Sequence, residues 1–211
     1  SNRFFCNFGG NNLTTNYTTT EAMNSAITQK ANEINLEVTQ TINSIQTGGK
    51  NLIKNGNFED GLNHWVYERF SGIDSAVFEI FDGREWCMDG KKQCSLSVYD
   101  IDDSNRQGEW TVRQSFKTVI GQEYTVSYMI AGHRTYKTVA IRQDGDDWAY
   151  LGSKDYPDIY GGKNANDWVY DSITFTATTS GTMILFIIRE VTSETNGYMW
   201  FTDVCCVEGN K

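Results

Sequence analysis

Across 211 residues the chain carries a net charge of −9, with 39% hydrophobic and 13% aromatic residues, enough apolar material for a real core, so general disorder is excluded. The acidic balance, with no cluster of Lys and Arg, excludes nucleic acid and anionic membrane surfaces as partners. No apolar run approaches the ~20 residues of a membrane span.

The start, SNRFFCNFGG, has no basic stretch followed by an apolar region; no signal peptide is visible in it, and it reads as a fragment boundary. Residues 1–17 are rich in Gly and Asn without a clear period. Residues 18–47 read as a helix: Thr18, Thr19 or Thr20 can cap it and Glu21 sits near its positive end. Its apolar or small positions are Met23, Ile27, Ala31, Ile34, Val38, Ile42 and Ile45, spaced 4, 4, 3, 4, 4, 3, an eleven-residue repeat with a nearly straight seam. The stripe is thin and the opposite face wholly polar, so such a helix is marginal alone. It either packs on its own domain or, as we favour, pairs with copies of itself through residues 20–46 in a parallel bundle, a homotrimer. Residues 48–50 form a short joint.

From residue 51 the period changes from helical to alternating, and residues 51–209 read as one antiparallel β-sandwich preceded by the helix, a mainly β fold. In NLIKNGNFEDGLNHW (residues 51–65) the first nine residues are expected as an opening strand, followed by a turn and the apolar anchor Trp65. Further strands are expected at Ala76–Asp82, at Cys94–Tyr99, at Trp110–Phe116 and at Tyr124–Ala131. Lys137–Gln143 and Trp148–Leu151 read as a hairpin closed by Asp144-Gly145-Asp146. A polar loop is expected over Gly152–Asp167, then a strand pair Trp168–Thr178 and Thr182–Glu190 joined at Ser180-Gly181, then a closing strand Tyr198–Glu208. That makes about nine strands. Of the five cysteines, Cys87 and Cys94 could face each other across a hairpin, but reduced thiols are the preferred reading. Adjacent Cys205 and Cys206 point to opposite faces, one of them into the core. No zinc spacing, nucleophile elbow, P-loop or dinucleotide fingerprint is present.

The run at 51–65, Gly90-Lys91-Lys92-Gln93-Cys94-Ser95-Leu96-Ser97-Val98, Gly121-Gln122-Glu123-Tyr124-Thr125-Val126-Ser127-Tyr128, Trp168 through Ala177, and Trp200-Phe201-Thr202-Asp203-Val204 together resemble, in order, the galactose-binding-like jelly rolls of carbohydrate-binding modules of families 4, 9 and 22. The resemblance covers roughly residues 50–209. It implies a structural calcium ion held by Glu59 and Asp203, with carbonyls near Asn57 and over Asp89–Lys92; Thr202 stands where the family often has a further Asp. Calcium takes six to eight hard oxygens from such mixed donors. It also implies sugar binding on one open sheet face, where aromatic rings stack on pyranose rings and polar side chains take the hydroxyls. The candidates are Trp110, Trp148, Tyr150, Arg142 and Gln143, with Tyr99, Tyr156 and Tyr160 at the rim. Trp65, Trp168 and Trp200 occupy positions that are usually core.

The polar helix, the Gly-Gly joint and the "Asn-Leu-Ile-x-Asn-Gly-x-Phe-Glu" opening also resemble the distal parts of tail proteins from phages and prophages of Gram-positive bacteria. That resemblance implies a non-catalytic tail-tip or tail-fibre part whose module binds host cell-surface polysaccharide and assembles with other tail proteins. It places the chain in the virion tail, assembled in the bacterial cytoplasm and extracellular in the particle. A structural spacer without a sugar ligand remains the alternative, and the binding module of a secreted polysaccharide-degrading enzyme a third.

Overall fold

The computed structural model describes residues 23–31, 50–145 and 149–209. It divides into two units, Ser1–Gln46 and Thr47–Lys211. In the first, residues 23–31 are helical, and Met23 and Ile27, four apart on one face, are both exposed. The rest of the expected stem lies outside the described residues.

The second unit is a two-sheet antiparallel sandwich of ten strands: β1 (Val66–Ser71), β2 (Ala76–Phe81), β3 (Gln93–Tyr99), β4 (Gln107–Lys117), β5 (Glu123–His133), β6 (Thr135–Gln143), β7 (Tyr150–Tyr156), β8 (Val169–Thr176), β9 (Gly181–Val191) and β10 (Asn196–Glu208). One sheet runs β1-β4-β9-β6-β7, the other β2-β3-β10-β5-β8. The alternation that marks each strand in the sequence sets its inner face. Cys94, Leu96 and Val98 of β3, Tyr124, Val126, Tyr128 and Ile130 of β5, and Ile184, Phe186 and Ile188 of β9 all enter one core. Its centre is a parallel stack of Phe186 on Phe201, one from each sheet, with ring centroids 3.8 Å apart. Phe58 and Trp65 close the core from the opening segment.

Three sequence expectations are corrected. Residues 51–59 form no strand. Asparagine side chains take the backbone partners that a ladder would need. Asn51 Oδ1 accepts from the N–H groups of Ile53 and Cys206. Asn55, at φ 51°, donates to Gly61 and Asn63 carbonyls and accepts from Asp60 N–H. The segment is nonetheless pinned to β10, through Leu52 N–H to Cys206 O (2.9 Å) and Val204 N–H to Gly56 O (3.0 Å). Second, β8 and β9 are not a hairpin: β8 pairs with β5, and β9 with β4 and β6, in different sheets. Ala177 is held to the β4–β5 turn by bonds with Gly121 and Gln122, so the 177–180 link is a corner where the chain changes sheets. Third, β7 runs on to Tyr156, so the polar loop is shorter than expected. β1, an edge strand with largely exposed side chains, has no clean alternation and was not expected. Cys87 and Cys94 are both buried thiols without a disulfide, while Cys206 is in the core and Cys205 only half-buried.

Lys137 is fully buried at one end of the sandwich. Its Nζ donates to the carbonyls of Thr135 (3.0 Å) and Pro157 (3.1 Å), tying β6 to the start of the 157–168 loop. Burial lowers its pKa to about 8, opposed by the nearby Asp158 carboxylate.

Candidate functional site

On the outer face of the β1-β4-β9-β6-β7 sheet, alternation places Glu109, Thr111 and Arg113 of β4 beside Met183, Leu185, Ile187 and Arg189 of β9, with Thr138, Ala140 and Arg142 of β6 next and Tyr150 of β7 at the edge. Ala140, Met183, Leu185 and Ile187 form an apolar strip separate from the core. A polar cluster reaches across it, from Arg142 opposite Met183 to Glu109 and Arg189 beyond Ile187. The Arg142 guanidinium lies over the Tyr150 ring, 4.0 Å from its centroid, and donates to the Tyr150 hydroxyl. Arg189 donates to the same hydroxyl (2.8 Å) and to Glu109 Oε2 (2.8 Å), and Glu109 Oε1 lies 3.7 Å from Arg142. Two arginines, one carboxylate and one half-exposed ring thus hold each other in place, leaving a net positive, donor-rich edge. Arg142 Nε and Thr111 Oγ1 are buried without a hydrogen-bond partner. Farther along, Arg113 donates to Glu68 (2.6 Å), Thr138 to Asp155 (2.7 Å). Such a surface can offer guanidinium forks and a carboxylate to hydroxyl groups, with Tyr150 as a stacking ring.

Of the sugar-binding candidates, Arg142 and Tyr150 meet here. Trp148 lies outside the described residues. Trp110 is corrected to a core residue: it is fully buried, its indole N–H donates to Ile73 O, and its inward register alongside Val112 leaves no face for a ligand. Tyr156 is likewise interior; its hydroxyl donates to Asp171 and pairs with Tyr128 at 2.7 Å, and burial with these neighbours raises its pKa. Gln143, the last residue of β6, accepts from Thr178. Tyr99 and Tyr160 belong to the outer face of the other sheet. Trp65 enters the core as expected, whereas Trp168 and Trp200, though buried, belong to a separate cluster with Phe81, Met129 and Ala131. Glu109, Thr111 and Arg189 were missed. Their signal was the strand alternation itself, which sets them opposite Trp110, Val112 and Ile188.

The expected calcium donors are close to lysines. Glu59 pairs with Lys92 Nζ (2.9 Å) and Asp203 with Lys91 Nζ (2.9 Å). Asn57 Oδ1 accepts from Glu59 N–H, Asp89 N–H donates to Lys163 O, and the Lys92 carbonyl accepts from Thr202 Oγ1 (2.7 Å). Asp203 itself sits at φ 50° in a bulge of β10.

No family model and no curated protein matches the chain in sequence. Among solved structures it is similar to the enzymatically active domain of tailspike protein 4 of bacteriophage CBA120, with TM-score 0.56 and 12% identity over 75% of this chain and 21% of that one. It is similar to a family 61 carbohydrate-binding module in complex with β-1,4-galactotriose, with TM-score 0.51 and 13% identity over 76% of this chain and all (100%) of that one. A family 4 carbohydrate-binding module matches with TM-score 0.50 and 19% identity over 74% of this chain and 99% of that one. The described sandwich therefore has the jelly-roll fold seen in carbohydrate-binding modules.

Proposed function

We propose that the sandwich is a non-catalytic module that binds a polysaccharide, and that it serves in a phage tail tip or fibre by holding a host cell-surface glycan. The observation that carries the binding reading is the Arg142–Tyr150–Arg189–Glu109 cluster. It presents a stacking ring and fixed polar groups on an outer sheet face, with Arg142 Nε still unpartnered. The fold shared with a galactotriose-bound module supports it, and the likeness to a tailspike domain supports the virion setting. The test is titration of the full chain with purified cell-wall polysaccharides. Saturable binding is expected, weakened about 10-fold or more by Tyr150→Ala, since one stacked ring with its hydrogen bond is worth ~1–3 kcal/mol. No saturable binding by the intact chain would leave the structural spacer as the better account.

Two parts of the reading have their own tests. The helix is proposed to join three chains through residues 20–46 and so gather weak sites by avidity; the exposed Met23 and Ile27 on one helical face support it. Sedimentation as a monomer at tens of micromolar would sink it. Calcium is proposed at Glu59 and Asp203 with backbone carbonyls near Asn57 and over Asp89–Lys92. The donors are hard oxygens of the kind calcium takes, and each carboxylate is held by its own lysine ammonium, Lys92 on Glu59 and Lys91 on Asp203, which the ion would have to displace. Calcium should raise the melting midpoint and chelator lower it; an unchanged midpoint removes the ion.

A further inference from the structure

The outer face of the β2-β3-β10-β5-β8 sheet carries an aromatic cleft that the binding face above does not use. Trp200 of β10 lies between two small neighbours in register, Ser95 of β3 and Ala131 of β5, so its indole has room to lie along the sheet. One step along β10, Tyr198 stacks near it, with ring centroids 5.9 Å apart and planes 22° apart. Tyr99 meets Tyr198 edge-on at 6.1 Å. Trp86, from the loop between β2 and β3, stands nearly parallel to Trp200, at 6.4 Å and 19°. His133 and the exposed Tyr160 meet edge-on at the other wall, 5.1 Å apart. The cleft these residues line has a volume of about 330 Å³, at the lower end of small-molecule sites.

The walls are built and fastened. Residues 157–164 are held to β5 by Gly132 N–H to Ile159 O (2.6 Å) and by Arg134 N–H to Asp158 Oδ1 (2.8 Å). The two wall loops are joined by Asp89 N–H to Lys163 O (3.0 Å). Gly161 rests directly on Trp200, where a Cβ would lie 3.0 Å from the indole Cε3. A groove fixed on both sides costs little ordering when a ligand enters.

Two polar groups in this apolar setting lack partners. The indole N–H groups of Trp86 and Trp200 are both buried and both without an acceptor. Trp200 is only 3% exposed overall. A buried donor left unmade is costly, and tryptophan usually finds a partner when buried. The matching ligand has a flat apolar face for the rings and acceptor oxygens at its edge. A pyranose ring has both. His133 is held below its ordinary pKa by burial and by Arg134, so at neutral pH it is an uncharged donor–acceptor for a hydroxyl rather than an anion trap.

We propose that this cleft is a second carbohydrate site, separate from the Arg142–Tyr150 face and on the opposite sheet, which takes one sugar ring packed against the partly exposed Tyr198 and Trp86 and the exposed Tyr160, with hydroxyls accepting from the Trp86 and Trp200 indoles. Reaching those nitrogens requires a small shift of the Trp86 side chain, because neither is open to solvent. The chain then carries two independent contacts for one polysaccharide or for two different sugars.

The experiment is titration of the full chain with methyl glycosides of glucose, galactose and N-acetylglucosamine, read by tryptophan emission and by indole N–H signals in NMR spectra. The variants are Tyr150→Ala, Trp86→Ala, Trp86→Phe and Tyr160→Ala. Saturable change with at least one glycoside is expected. It should be retained in Tyr150→Ala, weakened about 10-fold or more in Trp86→Ala, and weakened several-fold in Trp86→Phe, which keeps a ring and loses the donor. Tyr160→Ala removes an exposed rim ring, so it should weaken binding without touching the fold. A response lost in Tyr150→Ala but unchanged in the Trp86 and Tyr160 variants would overturn the second site and leave the first standing. No response from any indole N–H with any of the three glycosides would also overturn it, whatever polysaccharide binding shows for the other face.

Discussion

Lys137 offers a direct test of the fold's electrostatics. An ammonium fully buried in the sandwich, neutralised by no contacting carboxylate, should titrate early, and its pKa is lowered from 10.5 to about 8. The perturbation is Lys137→Met, which keeps a long unbranched chain and removes the charge. Between pH 8 and 10 the unfolded wild type keeps its proton at this position while the folded form gives it up. The unfolded state then binds more protons, so wild-type stability rises with pH through this window. A shift of this size corresponds to about 3 kcal/mol, gained at up to ~1.4 kcal/mol per pH unit above pH 8 and lost again as pH falls to 8. Other groups act in the same window. Burial pushes Cys206 up to about 12 and raises Tyr128, and both oppose the rise. They are present in both proteins, so the difference between wild type and Lys137→Met isolates the lysine. The assay is denaturant unfolding of both from pH 7 to 10. The difference in unfolding free energy should be flat below pH 8 and climb above it in favour of the wild type. Parallel curves, or a difference that falls with pH, would refute the argument and place the ammonium in contact with water.

Two other substitutions separate packing from binding. Gly56→Ala puts a Cβ 1.9 Å from the Val204 carbonyl oxygen. It should lower stability by at least ~1–3 kcal/mol in thermal or urea unfolding, and a wild-type midpoint would show that residues 51–59 do not dock on β10 as described. Trp110→Ala should cost about 3–5 kcal/mol of stability yet leave glycan affinity unchanged when measured where the variant is still folded; a selective loss of affinity would return Trp110 to the binding face.

Much of this fold was legible because strands with one buried face announce themselves by alternation: β2, β3, β5 and β10 fall close to where the pattern puts them. What alternation cannot show is which strand pairs with which. β8 and β9 follow each other through a plausible turn, Ser180-Gly181, and both carry inward Ile and Phe. Those side chains fill one core from opposite sheets, and only long-range pairing reveals it. The opening segment misled for a different reason. Its Leu, Ile and Phe look strand-like, but the asparagines between them bond locally and keep the backbone turning. The candidate face was half visible: Arg142 and Tyr150 are direct cross-strand partners in a hairpin, whereas Glu109 and Arg189 come from strands far away in sequence. The aromatic cleft was hidden because Trp200 sits in an otherwise core-like run. Its neighbours Met199 and Phe201 do enter the core, and the strand's period of two turns Trp200 the other way.

The bond between Leu52 and Cys206 has a mechanical consequence. Chain enters the sandwich at residue 51 and leaves after β10 at the same place, side by side. Tension applied through residues 50 and 209 would therefore run across this short clasp and peel it bond by bond. It would not stretch either sheet along its strands.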